Sequence, residues 1–286
     1  MMKAKHETAD FRENRYSSID MTRETGMSSE GLRFYERKGI LQVDKDEKNG
    51  YRTYPIMKVP MMRSAKILGT YGISLDNVAE IIQDHEHHLA HLDEALKQAE
   101  ERIGREIEWK RRCLVALQEQ RDAIDRGIGA IYFAELEEMA YLEYYGAEKL
   151  RASKKLRGQV DQWLQGMPIV KPAPHCPREM IGQDCYCPAG FMVRRADMDF
   201  LGLREEENVR ILPACLCVCT TVVQQEEMGI MAKEALEPLL TFIRQTGLRV
   251  AGDAFFRCLS FESNENAGCK IYYHVMLPVE VSKTPK

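Results

Sequence analysis

The 286-residue sequence has no apolar run long enough to cross a bilayer. Its first fifteen residues, MMKAKHETADFRENR, lack the apolar stretch of a secretory signal, so a cytoplasmic location without a membrane partner is expected. An excess of positive charge is also missing: 40 Lys+Arg stand against 44 Asp+Glu, for a net charge of -4. A protein that coats DNA without sequence preference fits so weakly basic a chain poorly, and any nucleic-acid contact has to rest on a local patch. No Ser/His/Asp arrangement and no metal-ligand motif of standard spacing occurs, so neither an enzyme nor a cofactor is expected. The nine cysteines are an odd set clustered in the second half, and a reducing compartment would leave them as thiols. The length exceeds one compact domain and predicts two domains with a connector.

Residues 1 to 15 read as a flexible tail. Ser18 is taken as the N-cap of a short helix that stops at Gly26, and Ser28 starts a second helix carrying Leu32, Phe34 and Tyr35 and stopping at Gly39. Two short helices joined through a tight glycine turn predict a helix-turn-helix. The run Ile40-Leu41-Gln42-Val43, a polar stretch ending in Asn49-Gly50, and Tyr51-Arg52-Thr53-Tyr54 predict a hairpin wing. Helical period continues over residues 57–70 and 75–83. From there Leu89, Leu92, Leu96, Ala99, Ile103, Ile107, Leu114, Leu117 and Ile124 make one narrow apolar stripe on a helix from about residue 86 to 125. A stripe that narrow is covered most economically by a second copy, so a homodimer is expected. Residues 130–286 show a weak repeat of strand, helix and strand pair, which predicts an antiparallel sheet against two helices, with the Pro-rich segment 168–177 as a loop. The resulting division is a winged helix-turn-helix at 16–84, a dimerisation coiled-coil helix at 85–126 and an α+β domain at 127–286. The overall class is α+β.

The segments LRFYERKGIL (32–41), NGYRTY (49–54) and LGTYGISLDNVAEII (68–82), followed by a long helix, resemble the MerR family of transcription regulators. The second half is similar to GyrI-like effector-binding domains through ILPAC (211–215), GLRVAGDAFF (247–256) and YYHVMLPVE (272–280). The first resemblance implies a dimeric winged-helix protein that binds and distorts double-stranded promoter DNA, with RNA polymerase as a further partner. The second implies a small-molecule effector, often lipophilic and aromatic or cationic. Gly31 departs from the family in the recognition helix, as does Val43 where a proline often stands. His274 occupies the place where such effector domains often carry a glutamate, which turns the expectation from cations toward neutral or anionic aromatics.

Candidate DNA contacts are Ser28, Arg33, Tyr35 and Lys38 on the second helix, with Tyr51, Arg52 and Tyr54 on the hairpin, where cations and hydroxyls can meet phosphates. A solvated charged face is the plainer alternative. Candidate ligand residues are Tyr144, Trp163, Phe191, Phe255, Tyr273 and His274, all of a type that core packing also uses. Cys215, Cys217 and Cys219 alternate along a strand and should share a face, with Cys185 and Cys187 able to approach. Structural packing, a thiol sensor and a metal site are the three readings left open. His85, His87, His88 and His91 read as a solvent face. A small-molecule hydrolase fused to a DNA-binding domain is the remaining alternative.

Overall fold

A computed structural model describes residues 15–46, 49–144, 153–225, 230–231, 233–264 and 268–281. The chain is mixed helix and antiparallel sheet and forms two compact units, Met1–Trp109 and Lys110–Lys286. The division falls inside the long helix and not at its ends.

In the first unit, β1 (Arg15–Ser17), α1 (Ser18–Thr25), α2 (Ser29–Arg37), β2 (Asp44–Lys45), β3 (Arg52–Pro55), α3 (Val59–Thr70) and α4 (Leu75–Gln83) precede α5 (His88–Arg126). Residues 1–14 of the expected tail lie outside the described residues, and Arg15 already belongs to β1. That strand adds a third member to the wing, in the order β1-β3-β2. The cap of α1 is Ser17 and not Ser18: its hydroxyl accepts from the Asp20 amide while the Asp20 carboxylate accepts from the Ser17 amide. Gly26 closes the helix at φ 62°, a conformation that glycine adopts without strain. Ser28 caps α2 by accepting from the Gly31 amide at 3.0 Å. Ile40 and Leu41 do not join the hairpin; both are buried in the core, and the ladder runs Asp44 to Thr53 and Lys45 to Arg52. The first half of α5 completes this core with Ala95 and Ala99, and Leu92 packs on it partly buried.

The second unit begins with the rest of α5, which Gly127 ends at φ 88°. Next come β4 (Tyr132–Leu136), β5 (Met139–Glu143), α6 (Lys154–Gln165), β6 (Lys171–Pro172), β7 (His175–Cys176), β8 (Cys185–Tyr186) and β9 (Gly190–Arg194). The remainder is β10 (Val209–Leu212), β11 (Cys215–Gln225), β12 (Ile230–Met231), α7 (Lys233–Gln245), β13 (Leu248–Val250), β14 (Ala254–Asn264) and β15 (Gly268–Val281). The expected single sheet is two larger ones, β4-β11-β15-β14-β7 with β13 on β15, and β10-β5-β9-β6, plus the short β12-β8 pair. The strand-prone run at 131–145 therefore splits into β4 and β5, which serve different sheets; Tyr145 lies outside the described residues. The Pro-rich loop contains two edge strands, β6 and β7, a position where a proline without an amide hydrogen costs no ladder bond. One face of the central sheet, with Val218, Phe256, Val275 and Leu277, packs on Leu236, Leu239 and Ile243 of α7. At about 25 cal/mol per Å² of apolar surface, this layer is a main source of the unit's stability.

Candidate DNA-binding surface and effector cavity

On α2 the residues Arg33, Arg37 and Lys38 are exposed, while Leu32 and Tyr35 form the buried face. Arg33 and Arg37 are four residues apart and share one side of the helix. Arg37 escaped the sequence reading, although this spacing marks it. Lys38 pairs with Asp76 at 2.5 Å and lies over the Phe34 ring at 5.6 Å. Tyr51 and Arg52 are exposed on the wing, and Ser28 is exposed but serves as the helix cap. Two expected DNA contacts are buried instead. Tyr35 is 1% exposed in the core, and burial pushes its hydroxyl pKa up. Tyr54 is equally buried and donates to Glu36 Oε1 at 2.5 Å. The second oxygen of Glu36 faces Arg52 Nε at 3.7 Å, so a single carboxylate ties the wing to the recognition helix.

His85, His87, His88 and His91 are exposed, as expected for a solvent face, and two of them brace the turn before α5. His88 Nδ1 meets the Ile81 carbonyl at 2.8 Å and His91 Nδ1 meets Asp84 at 2.6 Å. Along α5 the stripe divides. Leu92 and Ala99 are taken up by the first unit's core, whereas Leu89, Leu96, Ile103, Ile107, Leu114, Leu117 and Ile124 stay exposed.

In the second unit, a cavity of about 280 Å³ lies between the second half of α5 and the sheet face opposite α7. Register builds its floor: Tyr132, Cys219 and Met276 align across β4, β11 and β15, and His274 sits beside Arg257 one step along. Alternation places Cys217 on the same face, so both thiols line the cavity. The side wall holds Met139, Ile169, Ala173 and Met192. From α5, Glu119 projects into a cluster of cations. Lys171 and Arg194 both pair with it, and Arg257 donates to its carboxylate at 3.2 Å and to its backbone carbonyl at 3.1 Å. Burial raises the Glu119 pKa, but the three cations more than offset this and hold it below the usual range. Arg126 stacks over the Tyr132 ring at 4.0 Å, and Tyr132 Oη meets His274 Nε2 at 2.8 Å. Burial, reinforced by Arg257 and Lys171, pushes the His274 pKa down to about 3, so the ring is neutral. Two buried nitrogens, His274 Nδ1 and Arg257 Nε, have no hydrogen-bond partner among the described residues.

Of the six expected ligand residues, His274 alone lines this cavity. Phe255 lies one layer behind it in a cluster with Tyr141 and Met192. Tyr144 stacks on buried Phe191 at 4.5 Å, Trp163 is the buried anchor of α6, and Tyr273 packs against Phe256 on the α7 side of the sheet. These aromatics fill cores, where their large area stabilises most. The cysteines also separate. Cys187 lies with Cys176 in the α7 layer, on the other face from Cys217 and Cys219, and the side chain of Cys185 lies outside the described residues. No group of three or more His, Cys, Asp or Glu side chains suited to a metal ion occurs among the described residues. Cys215 and Cys217 hold their sulfurs 3.8 Å apart. That contact lowers the Cys215 pKa, while burial pushes Cys219 up to about 12.

Two short helices with a tight turn and a three-stranded wing define a winged helix-turn-helix DNA-binding protein. Residues 16–85 match the MerR HTH family regulatory protein description. Over 108 residues the chain is 30% identical to the HTH-type transcriptional regulator CueR of Salmonella typhi, a match covering 37% of this chain and 73% of that relative. The chain belongs to the MerR family of DNA-binding transcription regulators. It is also 33% identical over 69 residues to the uncharacterized HTH-type transcriptional regulator YyaN of Bacillus subtilis, covering 24% of this chain and 50% of that protein. Among solved structures, an EcmrR–DNA complex aligns over 93% of this chain and all of that one, at 14% identity and a TM-score of 0.32. No helix among the described residues is long and apolar enough to cross a membrane.

Proposed function

We propose that this regulator responds to a small molecule bound in the cavity of its C-terminal unit. In this reading it is a homodimer joined through the exposed stripe of α5, and it meets promoter DNA, with RNA polymerase, through α2 and the wing. One observation carries the proposal: the cavity sets an apolar wall beside a cluster of cations and leaves two buried nitrogens, on His274 and Arg257, without partners among the described residues. An unpartnered buried polar group costs about 1–3 kcal/mol, which a ligand supplying an acceptor to Arg257 Nε would recover. His274 is a poor general base, because burial holds its pKa at about 3 and its Nε2 is bonded to Tyr132. Binding changes transcription only if two arrangements of the dimer differ in ligand affinity, and about 1–3 kcal/mol of coupling suffices.

Sequencing the genomic DNA that the full-length protein retains would identify its promoter, and transcription from that promoter then reads the response to added compounds. A response lost in variants of the cavity wall supports the proposal; a response indifferent to them refutes it. The Cys215–Cys217 contact favours one second reading, a thiol sensor. Brief iodoacetamide treatment should label Cys215 before Cys217 and Cys219, and a transcriptional response abolished by that labelling would favour the thiol reading.

A further inference from the structure

The cation cluster of the cavity is short of negative charge. Lys171 from β6, Arg194 from β9 and Arg257 from β14 converge on one carboxylate, that of Glu119. The other acids along the wall are committed or remote. Asp197 accepts from Arg112 at 2.7 Å, and Glu137, with a side chain 66% exposed, meets the outer Nε of Arg194 at 3.3 Å. Glu135 is exposed at the rim, and Asp122 lies on the Arg126 side near Tyr132. Arg257 is largely covered, its side chain 12% exposed, and its buried Nε donor meets no acceptor among the described residues. Buried cations need paired anions, because the penalty for leaving water is several kcal/mol per ion.

We propose that the effector is an organic anion: a carboxylate carried on a small apolar body, seated so that its oxygens join or replace Glu119 among Lys171, Arg194 and Arg257. The inference rests on reading this cavity as the effector site and specifies its chemistry. The cations supply charge-assisted donors, and a guanidinium fork fits a carboxylate in two-point geometry. Met139, Ile169, Met192 and Met276 supply soft apolar contacts for the body. The volume of about 280 Å³ limits that body to one or two rings. A cationic ligand would find the Glu119 carboxylate already shared by three cations. Because Glu119 belongs to α5, an incoming anion also changes what the second half of that helix is bonded to.

The test is calorimetry on the full-length protein with three probes of one shape: 2-naphthoate, 2-naphthamide and 2-naphthylmethylammonium, with inorganic phosphate as an anion-only control. The carboxylate should bind at least about tenfold more tightly than the amide, the worth of one charge-assisted hydrogen bond, and the ammonium should not bind. In Glu119→Gln the internal competitor is gone, so naphthoate affinity should rise while amide affinity stays. Arg257→Gln should lower naphthoate affinity about tenfold with the amide unchanged. Lys171→Gln serves the same purpose if that variant fails to fold. Preference for the amide or the ammonium overturns the anion inference and leaves the effector cavity standing. Binding of phosphate as tight as naphthoate overturns the apolar body. No binding by any probe overturns both readings.

Discussion

The carboxylate of Glu36 holds the wing to the recognition helix, and Tyr54→Phe tests how much that link contributes. The substitution keeps the ring in its buried place and removes only the hydroxyl, which donates to Glu36 Oε1 at 2.5 Å and contacts Ser18 Oγ at 3.3 Å. Glu36, whose side chain is 9% exposed, would keep only Arg52 at 3.7 Å. A hydrogen bond to a charged group stabilises by about 1.5–3 kcal/mol, and removing one partner leaves the other buried and unpaired. Amide exchange reports the loss locally, which matters because two units need not unfold in one transition. Peptides covering α2 and β3 should exchange about 10- to 100-fold faster in the variant, since each 1.4 kcal/mol is a factor of ten. Tyr51→Phe is the control, because Tyr51 is 73% exposed. Its exchange should match the wild type. An acceleration in Tyr54→Phe below about threefold, under 1 kcal/mol, would show that the wing is held by packing and that this bond is incidental.

Three further outcomes are expected. Arg52→Ala should weaken operator and non-operator DNA alike and lower the slope of log affinity against log salt by about one, as loss of a phosphate contact does; an unchanged affinity at low salt refutes the contact. Ile107→Glu with Leu114→Glu places charges in the exposed stripe of α5 and should give monomers with poor operator affinity, whereas sedimentation as an intact dimer would rule that stripe out as the interface. His274 has a folded-state pKa near 3 against an ordinary 6.5, so the unfolded chain takes up the proton first as pH falls. Its contribution is constant above pH 6.5 and is lost progressively toward pH 3, about 2 kcal/mol by pH 5. Thermal denaturation between pH 7 and pH 5 should be less steeply pH-dependent in His274→Gln, and an equal dependence would assign the acid sensitivity to other groups.

The helix pair, wing and long helix were legible because each carries its own punctuation. Ser28 before α2, Gly39 after it and Asn49-Gly50 in the hairpin act within a few residues of where they stand. The third wing strand was not legible: Arg15 gains its place from Thr53 and Asp44, which lie far along the chain. Two errors had a local signal available. Ser17 with Asp20 three residues on satisfies the reciprocal cap that Ser18 cannot, and Tyr35, three residues after Leu32, shares its buried side. Tyr35 was drawn to the DNA by its hydroxyl, but its ring area decided the outcome.

The cavity was beyond local pattern altogether. Glu119, Lys171, Arg194 and Arg257 come from four elements whose neighbourhood depends on strand order, β6 beside β9 and β14 beside β15. Individually each reads as a solvated surface charge, the commonest fate of its type. The aromatic residues looked like a ligand cradle for the opposite reason, since pockets and cores draw on the same side chains. What marks the cavity is leftover polar chemistry together with surplus positive charge. A core aromatic such as Trp163 leaves nothing unmet, whereas the surroundings of His274 retain an unpaired donor and surplus positive charge. His274 was the one expected ligand residue to reach the cavity. A glutamate at that position would have joined Glu119 in balancing Lys171, Arg194 and Arg257, whereas a neutral imidazole adds no negative charge.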